Sequence, residues 1–299
     1  MAILCKAARL TAYSEHDRLS GERMTQPLAT IIATYSRRMR LQFADGTEAD
    51  ARIKGKRLKP VCGDRVSAEP ITGETDWLIT SVAARDNELT RPNQRGHTEV
   101  LAANIDCLVV VAAPEPKADW YIVDRYLCAA ELMEVAAAVV YNKTDLDPEM
   151  DSAGPELDNY ARIGYDVVRC SATQGDGIDD VSGLLAHRCA IIVGQSGVGK
   201  SSIINRLIGD AAQRTSMVSY KTGEGRHTTV NSVMLTLPHG GSVIDSPGVR
   251  DYAPALESSR AAAGGFREIV SAASNCRFAN CRHLREPGCA VKAAVESGD

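Results

Sequence analysis

The chain has 299 residues, 44% of them hydrophobic and 24% charged, with a formal net charge of −4. It exceeds one typical domain and has ample apolar content for buried cores, and its charge gives no overall positive potential for nucleic acid, so any such contact must be local. No run approaches the roughly 20 apolar residues of a membrane helix. The stretch Met1 to Tyr13 lacks the long apolar core of a signal peptide. Nine cysteines, scattered until a group at 276, 281 and 289, fit a reducing cytoplasm rather than a disulfide framework.

Residues 1–27 are polar and without period, and are expected to form a flexible leader; Met24 is an alternative start. Residues 28–90 alternate in short apolar runs (Ala29-Thr30-Ile31-Ile32, Arg40-Leu41-Gln42-Phe43, Ala51-Arg52-Ile53, Arg65-Val66-Ser67, Trp77-Leu78-Ile79) with turn signals at Asp45-Gly46, Lys54-Gly55, Gly63-Asp64 and Thr72-Gly73. Five short strands in so little chain predict a small β-barrel, with an OB-fold as the best fit. Between Arg37 and Arg65 there are nine Lys/Arg against four Asp/Glu. That excess predicts an RNA-facing surface built from Arg37, Arg38, Arg40, Lys54, Lys56, Arg57 and Lys59, reading phosphates more than bases. The alternative is a solvated strand face.

Turn-rich chain then leads into a linker, 91–104, and a different regime occupies 105–252. Cys107–Ala112 is apolar throughout, as a buried parallel strand requires. Asp119 caps a helix with apolar positions Ile122, Val123, Tyr126 and Leu127. Three further strands, Ala137–Tyr141, Val167–Cys170 and Ala190–Val193, each end on a motif, which is where ligands bind in open α/β sheets.

The last of those motifs, Gly194-Gln195-Ser196-Gly197-Val198-Gly199-Lys200-Ser201, reads G-x-x-x-x-G-K-S and opens a helix over Ser201 to Ile208, closed by Gly209. Its N–H groups, with Ser202 at the helix start, would cradle phosphates; Lys200 would reach the outer phosphates and Ser201 would ligate Mg²⁺. Asn142-Lys143-Thr144-Asp145 reads N-K-x-D, a guanine reader: the carboxylate accepts from N1 and N2 of guanine, and adenine lacks that donor pair. Lys143 would lie along the base, and the backbone of Ser171-Ala172 would approach the guanine oxygen. Asp245-Ser246-Pro247-Gly248 follows the strand Ser242-Val243-Ile244; Asp245 would hold Mg²⁺ through water and the Gly248 N–H would meet the γ-phosphate. Residues 210–231 read as a switch loop in which Thr228 or Thr229 reaches Mg²⁺, and spacing does not choose between them. Val249 stands where many GTPases place a water-orienting glutamine. His227 is the nearest group that could take that role; a structural histidine is the alternative.

The guanine reader precedes the phosphate loop here, the reverse of the usual order, yet the cyclic order of the motifs is intact. The arrangement predicts a circularly permuted GTPase domain. Beyond it, in residues 253–299, Cys276-x4-Cys281-x-His283-x5-Cys289 supplies three thiolates and an imidazole, a closed set for one structural, tetrahedral Zn²⁺ in a helical and looped module. The whole is thus predicted to be multidomain: OB-fold barrel, α/β phosphate-loop domain, zinc module.

From about residue 28 to 292 the chain resembles the circularly permuted ribosome-biogenesis GTPases of bacteria known as ribosome small subunit-dependent GTPase A. The resemblance rests on the barrel, the permuted order, Gly225-Arg226-His227-Thr228-Thr229, Asp245-Ser246-Pro247-Gly248 and the Cys-Cys-His-Cys pattern. It implies a GTP hydrolase activated by the 30S ribosomal subunit, contacting 16S rRNA, aiding maturation of its decoding region, and working as a cytoplasmic monomer with GTP/GDP, Mg²⁺ and Zn²⁺. It also implies a catalytic role for His227. The leader, the end at Asp299 short of a further helical tail, and Val230 in place of a third threonine depart from the family pattern. Asp245-Ser246-Pro247-Gly248 runs directly into the zinc module, so nucleotide state is expected to reposition that module. The competing reading is a GTP-bound RNA-docking scaffold with negligible hydrolysis; a nucleotide kinase would leave N-K-x-D without a purpose.

Overall fold

A computed structural model describes residues 28–35, 38–55, 57–92, 97–149, 153–209, 230–246 and 262–298. Its first strands are β1 (Leu28–Tyr35), β2 (Met39–Phe43), β3 (Glu48–Ile53), β4 (Arg65–Pro70) and β5 (Trp77–Val82). They neighbour one another in the order β1-β2-β3-β5-β4, and β4 returns to pair with β1, so the sheet closes. Only β3 and β5 run parallel. This is the OB-fold expected from the alternation. Inward positions Ile31, Leu41, Ala51, Val66, Ala68 and Ile79 are fully buried, each such aliphatic side chain contributing about 1.5–3 kcal/mol when large.

Pairing also decides where the barrel's charge goes. Arg40 sits directly opposite Asp50 in the β2–β3 register and bonds both Asp50 and Glu48 at 3.0 Å. Lys54 lies 3.7 Å from Glu69, and Arg38 lies 3.9 Å from Asp76. Arg52 pairs with Glu74 and Asp76. The sequence window ending at Arg65 omitted Glu69 of β4 and Glu74 and Asp76 of the turn before β5. Among the described residues, Arg57 and Lys59 have no carboxylate partner; Arg37 and Lys56 lie outside those residues.

The stretch read as a linker carries a two-stranded ladder, β6 (Glu88–Pro92) with β7 (Thr98–Ala103). Its start is fastened to the barrel: Arg85 bonds both oxygens of fully buried Asp64, at 2.7 and 2.9 Å. Asn87 and Ile105 exchange hydrogen bonds of 2.9 and 3.0 Å, tying the ladder to the next domain.

That domain contains β8 (Cys107–Ala112), α1 (Trp120–Leu132), β9 (Ala136–Tyr141), α2 (Gly154–Ile163), β10 (Asp166–Arg169), α3 (Ile178–Leu185), β11 (Cys189–Val193), α4 (200–209), β12 (Val230–Thr236) and β13 (Ser242–Asp245). The strands lie in the order β12-β13-β11-β8-β9-β10, all parallel save β12. Counted from β11, and continued from β13 back to β8, this reads 2-3-1-4-5-6, so the permutation is visible in the sheet. Apolar layers cover both faces: Tyr126, Leu127 and Leu157 with α1 and α2 on one, Val181, Leu185 and Ile203 with α3 and α4 on the other.

The last segment has the short helices α5 (Arg267–Ala273) and α6 (Ala290–Ser297). Among its described residues, Cys289 is the only buried hydrophobic side chain. Its root is clamped to the α/β domain by Arg267, which donates to Glu131 and to the Gly164 carbonyl, both at 2.7 Å, and stacks 4.0 Å over the Tyr165 ring.

Candidate nucleotide site and metal centre

Asn142 is the hub of the first site. It ends β9, is buried, and donates from Nδ2 to the Val198 carbonyl at 2.8 Å, while Oδ1 accepts from the Ala172 N–H at 3.0 Å. One amide thus ties three segments: the N-K-x-D turn, the Ser171-Ala172 turn after β10, and the loop after β11. The sequence-predicted residues from these three stretches are therefore brought together.

The loop between β11 and α4 needs its glycines. Gly199 has φ +94°, and a Cβ there would stand 2.3 Å from Asn142 Nδ2; at Gly194 (φ +133°) a Cβ would stand 2.2 Å from the Val111 carbonyl oxygen. Val198 is buried beneath the loop, while Ser196, Gly197, Ser201 and Ser202 are exposed. Lys200 donates from Nζ to the carbonyls of Gly194 (2.7 Å) and Gln195 (2.5 Å), which holds its charge over the loop. The Gln195 side chain accepts from the Asp119 N–H at 2.9 Å. Asp119 also caps α1, accepting from the Tyr121 N–H.

Lys143 occupies the left-handed region at φ +64°. Its Nζ reaches the carbonyls of Glu115 (2.6 Å) and Gly197 (2.8 Å), bridging the N-K-x-D turn to the phosphate loop. Asp145 lies exposed in a 3₁₀ turn, Thr144–Leu146. Buried Ser171 donates to its Oδ1 at 2.5 Å and accepts from the Gln174 N–H. The carboxylate is thereby oriented by a hydroxyl that is itself fixed. Burial pushes the neighbouring Cys170 thiol up to about 12, so it stays a neutral packing group.

Asp245 ends β13, beside β11, at the same sheet edge as the phosphate loop. His227, Thr228, Thr229 and Gly248 lie outside the described residues. One brace of the site and one buried pair outside it were not singled out from the sequence. Arg206 of α4 donates to the carbonyls of Ala172 (2.8 Å) and Thr173 (2.7 Å), bracing the Ser171-Ala172 turn. Buried Ser232 donates to Ser246 at 2.9 Å. An arginine three turns' reach from a motif and a serine inside a strand give no signal in one sequence.

The match to a known family decides what this site belongs to. The model for the RsgA GTPase family matches residues 82–254, more than half of the chain. The chain belongs to the RsgA GTPase family. It is 38% identical over 302 residues to the small ribosomal subunit biogenesis GTPase RsgA of Marinobacter nauticus, covering 98% of this chain and 86% of that one. Among solved structures it is similar to YjeQ from Thermotoga maritima, with TM-score 0.71 and 28% identity over 91% of this chain and 92% of that one. It is also similar to YloQ, described as a circularly permuted GTPase, with TM-score 0.70 and 26% identity over 93% and 92% of the two chains. RsgA proteins hydrolyse GTP with Mg²⁺.

Apart from the nucleotide site, Cys276, Cys281, His283 and Cys289 form a cluster whose ligand atoms all lie within 4.8 Å of one another. His283 Nδ1 is 3.7 Å from Cys276 Sγ and 3.5 Å from Cys289 Sγ. Ligands at zinc distances of about 2.0–2.3 Å in a tetrahedron stand roughly 3.3–3.8 Å apart, so this donor set can hold a structural zinc. Cys289 caps α6, with Sγ accepting from the Lys292 N–H. Desolvation raises the Cys276 thiol, but the N–H groups of Val291 and Ala290 and the other two thiols outweigh it and bring it below its ordinary value, toward thiolate. Glu286 fixes the intervening loop: its carboxylate accepts from the N–H groups of Arg282, Leu284 and Arg285.

Proposed function

We propose that this protein is a GTPase of small-subunit biogenesis that binds the 30S subunit, contacts 16S rRNA through its barrel, and turns over GTP faster on the subunit than alone. In this reading it acts as a cytoplasmic monomer; among the described residues no helix is long and apolar enough to cross a membrane.

Asp145 reads the guanine N1 and N2 donors, with Asn142 and the Ala172 N–H completing the base pocket and Lys143 flanking it. ATP would leave the Asp145 carboxylate facing no donor, a loss of a few kcal/mol. Gly194 to Ser202 wrap the phosphates, and Lys200 exchanges its two loop carbonyls for phosphate oxygens. When bound, Mg²⁺ neutralises charge on the β- and γ-phosphates. Ser201 would ligate it and Asp245 would hold it through water, with Thr228 or Thr229 from the switch. Gly248 contacts the γ-phosphate, and His227 orients the attacking water where Val249 cannot. The observation that carries this reading is the convergence of the three motif segments on the single amide of Asn142. In the barrel, Arg57 and Lys59 hold the charge available to rRNA phosphates, since Arg40 and Lys54 are paired with acids of the barrel.

The test is GTP turnover by the purified protein with and without 30S subunits, with Lys200→Ala as blank. Unassisted switch GTPases turn over at about 10⁻⁴ to 10⁻³ per second, and assistance raises that by roughly 10³ to 10⁵. Subunit-specific stimulation that His227→Ala abolishes supports the reading. GTP-dependent subunit binding without stimulation would favour the docking scaffold, the outcome Val249 points toward.

A further inference from the structure

The barrel and the GTPase domain share one sheet. The second half of β1 pairs antiparallel with β12, through Ala33↔Val233, Thr34↔Ser232 and Tyr35↔Val230. On its other side β12 pairs with β13, Val233 standing opposite Asp245. Thr34, Ser232 and Ser246 therefore form one row across three strands. All three are buried, and they make up half of the six buried polar or charged residues among those described. Two of the other three, Asn142 and Ser171, build the nucleotide site, and Asp64 answers Arg85.

A row of hydroxyls in an apolar sheet interior is costly unless it is satisfied, and Ser232 satisfies Ser246 directly at 2.9 Å. The row joins places that matter. Thr34 belongs to the barrel. Ser232 lies two residues into the strand that begins at Val230, immediately after Thr228 and Thr229. Ser246 follows Asp245. Strand register is discrete, because a slip of one residue would turn every side chain to the other face. A displacement of β1 thus reaches β12 and Ser246 through paired strands rather than through a loop, Thr34 standing opposite Ser232 on the barrel side of the register shift between Thr34 and Tyr35.

We propose that Thr34 and Ser232 are positioning residues for GTP hydrolysis, carrying the barrel's placement on its partner to the strand roots at Val230 and Asp245. This rests on the reading that the small subunit is the stimulating partner. The row does not touch nucleotide. It sets how the Asp245 end of β13 and the start of β12 stand relative to each other when the barrel is held.

The experiment compares wild type, Ser232→Ala, Thr34→Val and Ser232→Thr in the full-length protein, with exposed Ser81→Ala as a barrel control. Intrinsic turnover, 30S-stimulated turnover, 30S binding and thermal unfolding are measured for each. Loss of the Ser232–Ser246 hydrogen bond should lower stimulated turnover about 3- to 10-fold in Ser232→Ala, and removing the buried Thr34 hydroxyl opposite Ser232 should lower it in the same direction in Thr34→Val. Intrinsic turnover and subunit binding should stay within about 2-fold, and Ser232→Thr, which keeps the hydroxyl, should restore stimulation. Thr34→Val keeps the side-chain shape and carries the test if Ser232→Ala unfolds. Equal stimulation in all variants would overturn the proposal, as would intrinsic and stimulated rates falling in parallel with the melting temperature. A wild type that subunits bind but do not stimulate would instead overturn the functional reading beneath it.

Discussion

Asn142 and Val198 are 56 residues apart in the chain, and the Asn142 Nδ2 donates to the Val198 carbonyl across 2.8 Å. The same side chain satisfies the Ala172 N–H. In Asn142→Ala both backbone groups lose their partner, and each buried orphan costs about 1–3 kcal/mol. GDP affinity, read by fluorescent-nucleotide titration, is expected to fall by about 10²-fold or more, with a lowered melting temperature.

Ser171→Ala separates base choice from binding in general. It removes the 2.5 Å bond that orients Asp145, and hydrogen bonds to a charged group contribute about 1.5–3 kcal/mol. Selectivity for GDP over ADP should drop about 10- to 100-fold in competition titrations, while phosphate-loop contacts are retained. Unchanged selectivity would mean the carboxylate is held by something other than Ser171.

Gly199→Ala combines a backbone penalty with a clash. Its φ of +94° disfavours any side chain, and the new Cβ would meet Asn142 Nδ2 at 2.3 Å. The loop must shift off the hub, so nucleotide affinity should fall by more than about 10²-fold, with the far-ultraviolet spectrum of the whole chain little changed.

Glu286→Gln tests the zinc loop. The Glu286 backbone N–H and those of Arg285, Arg282 and Leu284 favour its carboxylate form and lower its pKa from 4.5 to about 2. A depressed carboxylate stabilises the fold fully above its unfolded value near 4.5, and that contribution is lost as pH falls from there through about 2. At pH 7 the glutamine variant should release zinc to a colorimetric chelator several-fold faster, about 3- to 10-fold, without altering GDP affinity. Release at the wild-type rate would show that the cysteines order the loop unaided.

Arg267→Ala addresses the link between switch and zinc module. The Glu131 and Tyr165 contacts anchor the module's root, so nucleotide-driven change is expected beyond it, in amide exchange over 253–299 that differs between GDP and a GTP analogue. Loss of the anchor should speed exchange in 262–298 about 10-fold or more and erase the difference. Identical exchange in both nucleotide states of the wild type, on and off the subunit, would dismiss the repositioning idea.

Read from sequence alone, the chain disclosed its barrel strands, the buried run Cys107–Ala112, the capping by Asp119, the phosphate loop and the Cys-Cys-His-Cys set. These are local signals: side-chain alternation, glycine spacing and ligand spacing act within a few residues. The permutation was legible for a related reason, since it changes only the order of motifs that each remain intact. What the tertiary structure alone decided was who faces whom. The pairing of Arg40 with Asp50, the buried Asp64–Arg85 junction ahead of the supposed linker, the Arg206 brace, and the Thr34–Ser232–Ser246 row all join residues that local sequence signals do not connect. Each depends on strand register and burial, and those are settled by which surfaces the whole fold removes from water.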